Sequence, residues 1–440
     1  MPETLLVTGA TGYIASRLIP RLLTAGYRVR CLARRPERLM GRAWYAQVEV
    51  IAGDVTRPET LPQAMQGVSA AYYLIHSMSA GHGYDRVDLQ SARNFAQAAR
   101  EAHVGHIIYL GGLANPLDVR LALHLKSRLE SGAALREAGV PVTEFRAGVI
   151  VGPGSVSFEM IRFMAEQFPL MVGPNWLRHH SQPVATSNVL DYLVAALHTP
   201  EARGRVVELG STESFSYIEV MSRYARIRGL RRAPLLLPFV PVWFMAFFID
   251  LLTPVEHSYA FPLVEGLQND SLVQDRTPLS LFPEIKLLDY ASAVERALAE
   301  THPAYIERIW LDAQDQDVIQ FRHEGMFIDY RRVICAAAPG ELLRGLQQRV
   351  SAKSLRLGAL RDFSLDFQSE DTLRLRAGQI RSGVGWLEWR LTPRAEGSLL
   401  EQTAFFAPKG LPGFLRFYLL GGFYRRGLAR LLKEICAGQP

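Results

Sequence analysis

Short, largely apolar runs recur through the first half of the chain, the first of them, Leu5 to Val7, without polar alternation, and between them lie stretches in which apolar side chains return every third or fourth position. The runs are Leu5 to Val7, Arg28 to Ala33, Val48 to Val55, Ala70 to Ile75, Ile107 to Leu110, Val142 to Arg146 and Val206 to Leu209. An unalternated run suits a parallel strand buried on both faces, because each set of side chains meets a covering helix. Ile14, Leu18, Ile19, Leu22 and Leu23 share one face of a first helix that Gly26 would end, and further helices are predicted over 85–102 and 121–138. Alternation of this kind predicts an α/β fold, a doubly wound parallel sheet.

Around Thr301-His302-Pro303-Ala304 the pattern changes. Gly325 to Ile334, Ser364 to Ser369, Thr372 to Arg376, Gly383 to Thr392 and Ser398 to Phe406 read as antiparallel strands, the last two joined by a turn at Arg394 to Gly397. Leu411 to Ile435 is a long amphipathic helix interrupted at Gly421-Gly422. The expectation is two domains, 1–302 and 303–440, the second of α+β type with a curved sheet gripping its terminal helix.

The first strand and helix are joined by Gly9-Ala10-Thr11-Gly12-Tyr13-Ile14-Ala15. Gly9 allows a tight turn, Gly12 allows close approach of a pyrophosphate, and small Ala15 lets helix and strand pack. The amides of Thr11, Gly12, Tyr13 and Ile14 then open a helix whose positive dipole end suits phosphates. A dinucleotide is the implied ligand. The second strand is followed by Arg34 and Arg35, with no acid placed to accept a free ribose 2′-hydroxyl, which favours NADP(H) over NAD(H). Arg34 and Arg35 also read as a solvated surface turn. Asp54 and Val55 close the third strand, where Asp54 fits either an adenine edge or an ordinary turn cap. Ile75 and His76 end the fourth strand, at the carboxyl side of the sheet where ligands of such folds lie.

Composition narrows the partners. The 440 residues are 48% hydrophobic with a formal net charge of +6, and the basic residues are interspersed with acids, so nucleic acid is not the expected partner. Cys31, Cys335 and Cys436 show neither metal-ligand spacing nor an even disulfide framework, which favours free thiols in a reducing cytoplasm. The first strand starts almost at Met1, leaving no room for a signal peptide. Residues 234–252 are the most apolar stretch, but prolines break the first half and Asp250 the second, too short a run for a spanning helix of ~20 residues. They read as a short buried helix lining an apolar substrate cavity, or as a membrane-surface or protein-docking patch. His179-His180 lacks a third ligand at recognisable spacing, and no metal is expected.

TGATGYIA, GDV at 53–55, YYLIHSM at 72–78 and RAGVIVGPGS at 146–155 resemble the atypical extended short-chain dehydrogenase/reductases, in particular their NmrA-like and complex I accessory-subunit-like branch, over residues 4–300. The resemblance implies a Rossmann domain binding NAD(P), with a small substrate subdomain built from segments after Gly152 and after Ser211. Trp386 to Arg390 and Glu401 to Gly410 resemble the START or polyketide-cyclase helix-grip class, which implies an apolar cavity facing Trp386, Trp389 and Phe405 unless these aromatics fill the core.

The chain departs from the dehydrogenase pattern where chemistry is concerned. The resemblance implies a proton-donating Tyr four residues before a Lys, and a Ser at the end of the fifth strand. Here Ala122 stands at the Tyr position and Gly111-Gly112 ends the strand. Lys126 remains as a candidate for binding the nicotinamide ribose. His124 is the substitute acid, its ordinary pKa suiting proton transfer, set against a partly exposed histidine that only packs or hydrogen-bonds. Arg146 and the turn at Gly152 to Ser155 correspond to the segment passing near the nicotinamide. Three functions stand open at this point: an NADPH-dependent oxidoreductase acting on an apolar carbonyl or quinone-like compound, a non-catalytic NADPH-binding sensor or assembly subunit, and lipid carriage by the C-terminal domain. Oligomeric state is not specified.

Overall fold

The computed structural model describes residues 2–78, 81, 83–252, 257–309, 317–351, 362–378 and 382–437. They form two compact units, one from the residues up to Met164 with Leu170–Ala299 and the described residues 307–309, the other from Ala165–Pro169, Glu300–Ile306 and the described residues from Asp317 onward.

In the first unit, β1 (Thr4–Thr8), β2 (Arg28–Ala33), β3 (Glu49–Ala52), β4 (Ala70–Tyr73), β5 (His106–Gly112), β6 (Val142–Ala147) and β7 (Val206–Leu209) make one sheet in the order β7-β6-β5-β4-β1-β2-β3. Every pairing in it is parallel. This is a parallel Rossmann-like sheet, and its strands fall on the seven apolar runs. Leu5 and Val7 face one core, with Ala15, Leu18 and Leu22 of α1 (Tyr13–Thr24). Leu6 faces the other, with Phe95 of α2 (Tyr84–Glu101) and Leu135 of α3 (Leu123–Glu137). The run is apolar throughout because both faces are covered. Strand order reverses between β1 and β4, which opens a crevice at their carboxyl ends.

The smaller part of this unit adds α4 (Tyr217–Ile227), α5 (Val242–Leu252) and α6 (His257–Gly266). Residues 234–252 are not one helix. Ala233–Leu237 is a strand paired in parallel with Leu170–Pro174, and only from Val242 does the chain turn helical. Pro238 and Pro241 separate the two pieces, since proline lacks the N–H a helix interior needs.

The second unit holds an antiparallel sheet of β8 (Val318–His323), β9 (Met326–Cys335), β10 (Phe363–Gln368), β11 (Thr372–Ala377), β12 (Gly383–Pro393) and β13 (Ser398–Pro408), in the order β8-β9-β13-β12-β11-β10. Two helices, α7 (Pro339–Ser351) and α8 (Gly410–Cys436), bury Leu342, Leu346, Leu428 and Leu432 against Leu375, Trp389 and Leu400 of the sheet. Strand β8 and helix α7 were not anticipated, and α8 runs through Gly421-Gly422 without a break. Buried side chains on either side, Phe414 and Leu428, anchor the helix, which crosses the pair at a cost of about 1 kcal/mol per glycine.

Cys335 and Cys436 form a disulfide, with Cα atoms 5.2 Å apart. This corrects the expectation of three free thiols. The pair is separated by 101 residues and meets only because α8 ends beside the end of β9. Cys31 is free and buried.

Candidate functional site: a nucleotide turn beside an apolar cavity

Gly9 has φ +68°, and a β-carbon there would stand 2.4 Å from the Leu74 carbonyl oxygen, so only glycine fits. The Gly12 amide donates to the Gly9 carbonyl at 2.7 Å and closes the turn. Gly12 is the N-cap of α1, without a capping side chain and without an acid in the first turn. The helix therefore meets its ligand with uncapped amides and an undiminished dipole end, which fits a pyrophosphate. The Tyr13 side chain is engaged elsewhere, its hydroxyl 2.8 Å from Thr186 Oγ1 and its ring under the Arg17 guanidinium. Its share in a phosphate cradle would be the backbone amide. Thr11 is exposed at the turn, and Ile75 lies within van der Waals reach of Gly9.

Arg34 and Arg35 are exposed just beyond β2. Asp54 accepts the Thr56 amide at 2.9 Å, so one carboxylate oxygen serves as a turn cap. Val55 is buried, and its carbonyl accepts from Asn94.

At the end of β4, His76 Nδ1 lies 2.6 Å from Asp88 Oδ2, which also accepts Ser127 Oγ at 3.0 Å, while Asp88 Oδ1 accepts the Ser77 amide at 2.7 Å. Burial raises the Asp88 carboxyl, but the His76 and Ser77 hydrogen bonds outweigh it and hold the group below its ordinary value. Burial, then the Arg128 charge, push the His76 imidazole below the usual range against the pull of Asp88. The pair is thus a carboxylate and a neutral imidazole donating from Nδ1, which leaves Nε2 a buried acceptor with no protein partner. Asp88 and Ser127 escaped the sequence reading. The only signal was an acid on the buried face of α2, twelve residues after His76.

Beside this cluster lies a cavity of about 250 Å³, lined by Ile14 of the nucleotide turn, Gly111 and Gly112 of β5, His124 and Arg128 of α3, and apolar side chains of the smaller part that include Met245 and Ile249. Tyr217 also lines it, its hydroxyl donating to the Asn269 carbonyl at 3.4 Å. His124 is buried rather than partly exposed, and burial, reinforced by Arg128, lowers its pKa to about 3. It is neutral at physiological pH.

Lys126 is not brought to the cavity. It is 60% exposed, with Nζ 3.7 Å from Glu130 Oε1. Two positions along a helix are about 200° of rotation, so Lys126 projects from the face opposite His124 and Arg128. Ala122, at the expected Tyr position, lies outside α3 as its N-cap. Its amide donates to Asn269 Oδ1 at 3.1 Å, and Asn269 Nδ2 donates to the Arg120 carbonyl at 2.9 Å, which sets where the helix starts. A side chain at 112 has little room, for a β-carbon there would meet Arg128 Cδ at 3.0 Å. Arg146 turns to the buried Glu144, donating from Nε at 2.6 Å. His179 pairs with Asp270 at 3.1 Å, and no group of three metal-ligating side chains occurs among the described residues.

In the second unit a separate cavity of about 290 Å³ is lined by Trp386 and Phe405 together with Phe327, Phe417, Arg416 and Arg425. Trp389 is not part of it, being buried in the core with Nε1 donating to Gln402 Oε1 at 3.0 Å.

Residues 9–137 match the family model described as NAD(P)H-binding. The chain is 27% identical over 239 residues to the photosystem II assembly factor Ycf39 of Trieres chinensis, covering 51% of this chain and 69% of that protein. It is 28% identical over 240 residues to the ceramide reductase of Caulobacter vibrioides, covering 53% and 73%. Among solved structures it is similar to the Citrobacter sp. triphenylmethane reductase complexed with NADP(H), with TM-score 0.54 and 20% identity over 67% of this chain and 99% of that one. It is equally similar to the Escherichia coli NADPH-dependent quinone oxidoreductase QOR2 complexed with NADPH, with TM-score 0.54 and 19% identity over the same shares. These structural likenesses carry the fold. Residues 9–137 are thus an NAD(P)H-binding domain, and the N-terminal two-thirds of the chain shares its fold with these reductases.

Proposed function

We propose that the chain is an NADPH-dependent reductase of an apolar carbonyl or quinone-like compound. The observation that carries this reading is the 250 Å³ cavity, which joins the nucleotide turn through Ile14 and presents His124 and Arg128 among mostly apolar walls. Arg34 and Arg35 would hold the 2′-phosphate that distinguishes NADPH, and His76 Nε2 would accept from a ribose hydroxyl. Bound NADPH supplies a hydride to the acceptor carbon. A neutral buried imidazole polarises a carbonyl oxygen by donating a hydrogen bond, and the Arg128 charge stabilises the developing oxyanion, which takes its proton from water. Relatives described as a ceramide reductase and a quinone oxidoreductase support an apolar acceptor.

The test is oxidation of NADPH by a panel of apolar ketones and quinones. Turnover above background, lowered about 10²-fold by Arg128→Ala, is the expected result. A second reading, NADPH binding without turnover as a sensor or assembly subunit, is favoured by Ala122 standing outside α3 and by the crowded Gly112. Tight NADPH binding with no oxidation across the panel would establish that reading instead.

We further read the C-terminal unit as a helix-grip domain, α8 lying on the antiparallel sheet, with its 290 Å³ cavity as a site for an apolar ligand. Displacement of a fluorescent fatty-acid probe, weakened by Phe405→Arg, tests this.

A further inference from the structure

Helix α5 has two apolar faces. Met245, Ala246 and Ile249 are buried, and Met245 and Ile249 line the cavity. Trp243, Phe244 and Phe247 point the other way, Trp243 being 63% and Phe247 52% exposed. The surface continues beyond the helix. Val172 pairs with Leu235 in the two-stranded sheet, and Leu170, Val172, Leu235 and Leu237, alternate residues of their strands, are all exposed. Between sheet and helix stands Phe239, 99% exposed at φ +62°. A bulky side chain in the left-handed region is costly, and here no packing of its ring compensates.

An exposed apolar face of this kind marks a docking surface. Its surroundings identify the partner. Over residues 220–252 the chain carries five arginines, Arg223, Arg226, Arg228, Arg231 and Arg232, against one acid, Asp250. Helix α4, which carries Arg223 and Arg226, packs against the strand Ala233–Leu237 that leads into the aromatic segment, and Arg226 and Arg231 are exposed. Aromatic side chains on the outer face of a short apolar helix, beside clustered arginines, match the interfacial zone of an anionic bilayer, where rings enter the headgroup region and guanidinium groups meet lipid phosphates.

We propose that this face docks the protein on an anionic lipid surface. The inner face of α5 then walls the cavity while its outer face meets the bilayer. Docking of this kind requires no turnover.

The test is co-sedimentation of the full chain with phosphatidylcholine vesicles, with and without phosphatidylglycerol. Binding is expected to vesicles containing phosphatidylglycerol and to fall as salt is raised. Trp243→Glu combined with Phe247→Glu should weaken it at least about tenfold, while NADPH affinity and the thermal midpoint stay unchanged. Arg226→Glu with Arg231→Glu should weaken binding to anionic vesicles selectively. No sedimentation with either vesicle overturns the proposal. So does a dimer in light scattering that the Trp243→Glu, Phe247→Glu variant dissociates, since the face would then belong to a second copy of the chain.

Discussion

The backbone of Gly266 lies directly against the imidazole of His124: a β-carbon at 266 would stand 2.3 Å from Cε1 and 2.9 Å from Nε2. The contact joins the end of α6 to the cavity face of α3. Gly266→Ala should therefore push His124 into the cavity and destabilise the protein by about 1–3 kcal/mol, the usual cost of overpacking. Urea unfolding measures the loss. Adding His124→Ala should recover most of it, and strictly additive effects would mean the strain lies elsewhere.

Gly9 gives a sharper prediction because two constraints coincide. Gly9→Ala must hold an alanine at positive φ and press its methyl on the Leu74 carbonyl. NADPH binding, followed by fluorescence titration, should be lost, and the thermal midpoint should fall by several degrees, as expected for roughly 1–2 kcal/mol. A variant that binds NADPH normally would separate this turn from the cofactor site.

Cofactor preference should reside in Arg34 and Arg35. Charge-assisted hydrogen bonds contribute about 1.5–3 kcal/mol, so Arg34→Ala with Arg35→Ala should weaken NADPH about 10–100-fold and leave NADH nearly unchanged. Equal losses for the two nucleotides would remove the phosphate-binding role.

Acid should destabilise the protein through its buried histidines. His124 has a pKa near 3 and His106 near 4, both lowered first by burial, against an ordinary value of 6.5. Below pH 6.5 the unfolded chain takes up protons that these folded imidazoles refuse, so stability falls as pH drops from about 6.5 towards 4. Each group contributes up to ~1.4 kcal/mol per pH unit in that window. Denaturant unfolding across it should show a shallower slope for His124→Phe than for the parent. Identical slopes would mean that His124 is not buried neutral.

The Cys335–Cys436 link should matter for the C-terminal unit alone. It closes a loop spanning 101 positions, for which about 2–4 kcal/mol of stabilisation is typical. Cys335→Ser should lower the midpoint of that unit in calorimetry and abolish its response to reductant.

Much of the fold was legible because it is written locally. Seven apolar runs and their intervening helices need only covered faces, and the glycine turn needs only the positive φ at Gly9, so sequence by itself determined the parallel sheet, the nucleotide turn and the antiparallel character of the C-terminal unit. Part of the cavity wall was legible as well, since the apolar 242–252 segment and Gly111-Gly112 line it, but which face of α3 turns towards it was not. The phase of α3 depends on where the helix begins, and that is fixed by Asn269 holding the Ala122 amide from 147 residues away. Tertiary structure therefore chose His124 and Arg128 over Lys126, gave His76 its carboxylate from another element, joined Cys335 to Cys436, and split the 234–252 stretch into a strand and a two-faced helix. Each of those outcomes turns on a contact between distant segments, which neither periodicity nor spacing encodes.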